Sequence, residues 1–295
     1  MKLVYLDTSK LRNLADGLGD SEWASIDTLI KNHSIKLIIS FFHLYDFTQK
    51  QNIVKDTIVE YLDTLDEFLW ATSPYDIFVR EVECALAFLE DERKLSVVPF
   101  FDNRNAMLKH VWLEKLEKEK KVPDVTTVFA DFYDIRGPHS MSAFIDLCIK
   151  HNAFLPMKNE FSESVEIIER MNRNAAIWLN PDAVLKSHLL AYAPENKRNL
   201  LDDESFVEQL FGLYDDFMPS LQFSTLLERI KYGNVGMTIE ANDLIDEYHA
   251  SYAPYCDIMM HDGPLCARAV QTHSSHAQKC VSQPSDFLAL VEQTS

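Results

Sequence analysis

The chain opens on Lys2-Leu-Val-Tyr-Leu6, five residues rich in strand formers, and passes without a linker into Asp7-Thr8-Ser9. Asp, Thr and Ser are the side chains that accept a helix's first free N–H groups, so the segment predicts a strand that turns at once into a helix. The same grammar returns at Ile35–Ile39, a continuous apolar run followed by Ser40 and the stretch "FFHLYDF". An apolar run without polar alternation marks a strand covered on both faces. Two such strand-to-helix units in succession predict a parallel sheet carrying helices on its faces.

The C-terminal part repeats the pattern. A helix is expected over Ile239–Tyr252, a strand over Cys256–Met260, a helix over Pro264–Thr272, a short strand over Lys279–Ser282 and a last helix over Pro284–Glu292. An acidic amphipathic helix is expected over Ser21–Lys31. Between the two ends the text changes. "IVEYLDTLDEFLWA", "FVREVECALAFLEDERKL", "NAMLKHVWLEKLEKEKK" and "SESVEIIERMNRNAAIWL" carry apolar residues at helical spacing, without a fixed repeat. The expected architecture is an α/β/α domain built from residues 1–53 and 233–295, with a long all-helical insertion over 54–232.

At 47% hydrophobic and 25% charged residues, the chain has enough apolar surface to bury a core. No apolar run approaches the roughly 20 residues that span a bilayer, and the start has no signal-peptide pattern. Five scattered cysteines without a C-x-x-C pair suit a reducing compartment, so a cytoplasmic protein with no membrane association is expected. The net charge of −18 opposes any general attraction to a nucleic-acid backbone. Two readings remain: a local basic patch, or carboxylates that converge on divalent cations and reverse the local sign.

Parallel sheets place functional residues at the carboxyl ends of their strands. Asp7 ends the first strand, Asp262 follows the strand containing Asp257, and Asp46 lies six residues beyond Ser40. Asp243 and Asp246 stand three apart on one face of the helix before that later strand. A cluster of carboxylates is costly without a counter-ion, and hard oxygen donors suit Mg²⁺ or Mn²⁺.

The blocks "VYLDTSKL", "IISFFHLYDF", "NDLIDEYHASYAPYCDIMMHDGPLCARAV" and "KCVSQPSDFLALVEQ" resemble the successive blocks of PIN-domain nucleases, over about the first 55 and last 60 residues. The resemblance implies a PIN-like fold and a metal-dependent endonuclease, acting on RNA more than on DNA, with relatives that serve as toxins or defence effectors. Carried over, it implies that Asp7, Asp46, Asp243 and Asp262 hold Mg²⁺ or Mn²⁺, with Asp246 and Asp257 in reserve. It gives Thr8 and Ser9 a part in holding a ligand or a phosphate oxygen. Arg268, six residues beyond Asp262, is the candidate phosphate contact. The chain departs from the family in having Asp rather than Glu at position 46, and Met260 where Thr or Ser is usual.

Each acid also has an ordinary role: Asp7 as a helix cap, Asp46 and Asp246 as solvated helix residues, Asp243 as favourable charge near a helix N-terminus, Asp257 as a strand start. Cys256, His261, Cys266, His273, His276 and Cys280 lack the paired short spacings of structural zinc. No G-x-S-x-G elbow and no phosphate-binding glycine loop is present. The lysines of Leu108–Lys121 interleave with glutamates and read as a salt-bridged helix, while Arg170, Arg173, Lys197 and Arg198 form smaller basic groups. A second functional class stays open: a catalytically silent scaffold acting through protein contacts of its acidic helical section, with a protein partner or a second copy of itself.

Overall fold

The computed structural model describes residues 1–17, 19–49, 53–91, 95–102, 106, 141–150, 180–233 and 241–293. Among them are six strands: β1 (Lys2–Leu6), β2 (Ile35–Ser40), β3 (Leu69–Ala71), β4 (Phe100–Phe101), β5 (Ile258–Met260) and β6 (Cys280–Val281). They form one sheet in the order β4-β3-β2-β1-β5-β6, parallel throughout except for the edge strand β4. The chain builds outward from β1 through β2 to β3, then returns to the other side of β1 for β5 and β6. The direction of winding therefore reverses between β1 and β5, the place where an open parallel sheet leaves a crevice beyond its strand ends.

The strands alternate strictly between two cores. Val4, Leu6, Leu37, Ile39, Ile258 and Met260 face one. Tyr5, Ile38 and Met259 face the other. On the first face lie α1 (Thr8–Asp16), α2 (Ser21–Lys31), α3 (Phe41–Gln49), α4 (Ile53–Asp63), α6 (Met141–Lys150) and α13 (Pro284–Glu292), contributing Leu11, Leu14, Ile26, Phe42, Leu62, Phe144 and Phe287. Opposite them are α5 (Pro74–Asp91), α10 (Pro219–Tyr232), α11 (Ala241–Ala250) and α12 (Gly263–Gln271), which bring Ile77, Phe223, Leu227, Ala250 and Ala269. A third cluster joins α5 and α10 to α7 (Pro181–Tyr192) and α8 (Glu204–Gly212) through Phe78, Val82, Leu189, Leu210 and Leu221, with the short α9 (Tyr214–Phe217) alongside. No helix among the described residues is long and apolar enough to cross a membrane.

The section expected to be all helical, 54–232, supplies two strands of the sheet. Within "IVEYLDTLDEFLWA" the helix α4 stops at Asp63, and Leu69–Ala71 pairs with β2 in the register Ile38↔Leu69 and Ser40↔Ala71. A three-residue strand shows too little of its period to be read from sequence, and its identity comes from the partner strand. Ile58, Leu62 and Phe144, all from this section, share the core of β1. Helices α4 and α6 are further tied by Asp63, which accepts from the Met141 amide and from Ser142 Oγ at 2.6 Å. The expected lysine-rich helix 108–121 and Arg170 and Arg173 lie outside the described residues. Lys197 pairs with Glu90, and Arg198 donates to the Ala193 carbonyl.

Candidate functional site

The Asp7 amide bonds the Met260 carbonyl at 3.0 Å and so extends the β1–β5 ladder by one rung. This rung sets Asp7, His261 and Asp262 side by side over the crevice. Asp7 caps α1: its Oδ1 accepts from the Lys10 amide at 2.7 Å and from Ser9 Oγ at 2.8 Å. The helix cap and the site residue are the same carboxylate, 4% exposed. Asp262 stands over it with its side chain 53% exposed, 3.0 Å from Ser9 Oγ and 3.8 Å from the Lys10 ammonium.

Ser9 has one hydroxyl proton and faces an oxygen of each carboxylate. A single O–H can donate fully to only one of them, so the Asp7–Asp262 pair carries more negative charge than its hydrogen bonds neutralise. Asp46 joins from α3 through Thr8, whose hydroxyl donates to Asp46 Oδ2, and His249 Nε2 lies 3.7 Å from the same oxygen. Of Asp7, Asp46, Asp246 and Asp262, only Asp262 lies within ion-pair distance of a lysine or arginine among the described residues, and that is Lys10.

Of the two acids on α11, Asp246 is the one that stands beside His261. Its Oδ1 is 4.0 Å from His261 Nε2, and burial, helped by the charges of Asp7 and Asp262, pushes its carboxyl up to about 6. Asp243 instead forms a 2.7 Å ion pair with Lys231 of α10. The helix phase is set by α10, which turns Asp243 toward Lys231. Arg268 is likewise held elsewhere: its guanidinium donates to Glu247 at 3.0 Å in a pair that is almost fully covered, where a phosphate contact was expected. Asp257 sits at the opposite end of the sheet, exchanging bonds with Leu3 (Asp257 N–H to Leu3 carbonyl 2.8 Å, Leu3 N–H to Asp257 Oδ2 2.7 Å). It is a strand-start residue, as its ordinary role implied.

Beneath the acids runs a row of buried imidazoles that single motifs do not reveal. Ring centroids of His43 and His249 are 5.2 Å apart, and those of His249 and His261 are 6.0 Å apart. His43 is fully satisfied, with Nδ1 2.9 Å from the Ser40 amide and Nε2 2.7 Å from the Leu6 carbonyl. Burial drives His43 down to about 3 and His261 down to about 4. Tyr5 Oη bonds His249 Nδ1 and lies 2.8 Å from Ser40 Oγ. Burial opposes the charged form of Asp7, but His261, the Lys10 amide, His249 and Ser9 outweigh it and hold the carboxyl below its ordinary value. Asp46 is lowered in the same way, burial being overcome by His249 and Thr8.

No family model, curated protein or solved structure matches this chain. The site must therefore be judged on its own chemistry. Its donors are carboxylate and hydroxyl oxygens, the set that suits a hard divalent cation. As placed, with Thr8 and Ser9 between the acids, no three His, Cys, Asp or Glu groups among the described residues are grouped to hold an ion. The donor types of Asp7, Asp46, Asp246 and Asp262 are those that Mg²⁺ or Mn²⁺ takes. The five cysteines are buried and form no disulfide, and burial raises the thiols of Cys84, Cys256, Cys266 and Cys280, so none of these four has the lowered pKa of a nucleophile or thiolate ligand.

Proposed function

We propose that this protein is a divalent-metal-dependent phosphodiesterase of PIN type, cutting RNA in preference to DNA, in the cytoplasm. One observation carries the reading: Asp7 and Asp262, from opposite ends of the chain, face one Ser9 hydroxyl at the crevice between β1 and β5. Excess negative charge in that crevice favours a divalent cation, and with it a phosphate group that the chain's own charge of −18 would otherwise repel. The resemblance of the end blocks to PIN nucleases supports the same chemistry and is the ground for choosing RNA.

Asp7, Asp262 and Asp246 would hold Mg²⁺ or Mn²⁺, and Asp46 would reach it directly or through Thr8. When bound, such a cation would supply charge neutralisation at phosphorus and would acidify water at neutral pH. The residues of the chain have separate tasks. Asp7 is fixed in place by the α1 N-terminus, so the reacting centre inherits the rigidity of the sheet. Ser9 orients Asp7 against Asp262. Lys10, with its side chain 12% exposed, adds a positive charge beside the exposed edge of Asp262, where a phosphate oxygen would arrive. His249 steadies Asp46 from below.

The test incubates the full chain with mixed RNA and DNA in Mn²⁺, Mg²⁺ or EDTA, beside Asp7→Asn and Asp262→Asn. Metal-dependent cleavage lost in both variants supports the reading. Cleavage that survives in both variants overturns the site, and absence of cleavage in all metals favours the silent scaffold.

A further inference from the structure

His261 is 1% exposed and lies directly beneath the acids, one residue before Asp262. The Asp262 amide donates to its Nδ1 at 2.7 Å. A neutral imidazole that accepts at Nδ1 carries its proton on Nε2. That N–H has no hydrogen-bond partner among the described residues, and Asp246 Oδ1 stands 4.0 Å from it. Buried donors in folded proteins are almost always satisfied, so an unpartnered one aimed at a cluster of acids points to an acceptor that moves.

We propose that His261 is a positioning residue that receives Asp246: its Nε2–H takes the Asp246 carboxylate when that side chain closes with Asp7 and Asp262 around a divalent cation. The inference rests on the cation site proposed above and adds that the site is completed by a movement of α11's acid. One ring then connects the backbone of Asp262 on the β5 side to the side chain of Asp246 on α11, and so sets the spacing between them. The contact explains why Asp246, three residues from the ion-paired Asp243, is the acid that serves the site. Direct ligation by Nε2 is the competing geometry. It would require the ring proton to move to Nδ1, toward Asp7 Oδ2 at 3.4 Å, and would break the bond from the Asp262 amide.

The experiment titrates Mn²⁺ into the full chain, followed by electron paramagnetic resonance and by calorimetry, for wild type, Asp7→Asn, His261→Phe, His261→Gln and Asp246→Asn. Loss of a hydrogen bond to a ligand carboxylate weakens metal binding about 10–100-fold, and that loss is expected in His261→Phe. His261→Gln, which restores an N–H near the Nε2 position, recovers most of it. Stabilisation by Mn²⁺, read as the rise in unfolding temperature on adding the metal to each variant, shrinks in His261→Phe relative to wild type. Wild-type Mn²⁺ affinity in His261→Phe overturns the proposal, as does nitrogen coupling to bound Mn²⁺ in pulsed spectra, which would make the ring a direct ligand. If His261→Phe fails to fold, Asp246→Asn carries the test, and wild-type affinity in it refutes the movement. Absence of Mn²⁺ binding in wild type, or undiminished binding in Asp7→Asn, overturns the cation site and the positioning role together, whereas normal loss in Asp7→Asn with no loss in His261→Phe overturns the positioning role alone.

Discussion

Two buried acidic regions of the molecule are built on opposite principles. Glu81 of α5 is fully enclosed, and every contact it makes is with a donor: the Ser220 amide at 2.8 Å, the Leu221 amide at 2.9 Å and Tyr255 Oη at 2.7 Å. Ser220 and Leu221 lie in the first turn of α10, which has no side-chain cap of its own. Glu81 is thus a helix cap delivered from another helix, its two oxygens taking the first free amides of α10. Asp7 also caps a helix, but its neighbours include another carboxylate, a shared hydroxyl and an unpartnered imidazole N–H. Where donors match acceptors, a buried acid is a structural joint. Where acceptors exceed donors at a strand-end crevice, the surplus calls for a ligand.

Substitutions should separate the two regions. The largest effect is expected for Asp7→Asn, with metal-dependent phosphodiester cleavage falling about 1,000-fold, equivalent to about 4 kcal/mol. Urea unfolding should be nearly unchanged, because Asn also caps helices; an equal loss of stability would erase the contrast with Glu81.

Glu81→Ala should do the reverse. It leaves two amides and a hydroxyl without their acceptor, costing about 3 kcal/mol in urea unfolding, with Mn²⁺ affinity unaltered. Burial pushes Glu81 up to about 7 although its three donors pull the other way. Because the folded-state pKa lies above the ordinary value of 4.5, the folded state keeps a proton that the unfolded state gives up. The Glu81 contribution is therefore whole below pH 4.5, falls as pH rises toward 7 and is flat above it, a change of about 3 kcal/mol. Comparing unfolding of wild type and Glu81→Gln across that window measures this contribution, and parallel curves would refute it.

A smaller effect tests the assignment on α11. Asp246→Asn should weaken Mn²⁺ binding at least tenfold more than Asp243→Asn, about 1.4 kcal/mol; the opposite order would return Asp243 to the site. Smallest is Lys31→Ala, which removes an exposed pair with Asp27 four residues earlier at 3.0 Å and should cost about 0.4 kcal/mol.

Much of the sheet was legible because its strands are apolar runs bounded by capping residues. Lys2–Leu6 and the helices at Ser21–Lys31 and Pro284–Glu292 fall where local pattern puts them. β3 escaped because Leu69–Ala71 follows a helical stretch and is too short to show alternation. For the candidate site, the strand-end positions of Asp7 and Asp262 could be read from sequence, and the structure places both facing Ser9. The choice between Asp243 and Asp246 could not be made from a spacing of three, since both lie on one helical face and only the packing of α10 decides which is neutralised. The pairing of Arg268 was illegible for the same reason, because its partner Glu247 lies 21 residues away and nothing local announces the pair. The imidazole row was invisible, its three members standing on α3, α11 and the end of β5.

By itself, then, the sequence determined the α/β grammar, the strand-to-helix turns and the two acids that end β1 and β5, all properties of short windows in which period and capping chemistry act locally. Only the tertiary structure decided that Ser9 faces both acids, that Asp243 pairs with Lys231 while Asp246 stands near His261, that Arg268 pairs with Glu247, and that His261 keeps a buried Nε2 without a partner among the described residues. Those outcomes depend on which charges meet across elements brought together by burial, and pairing between distant elements leaves no period to read.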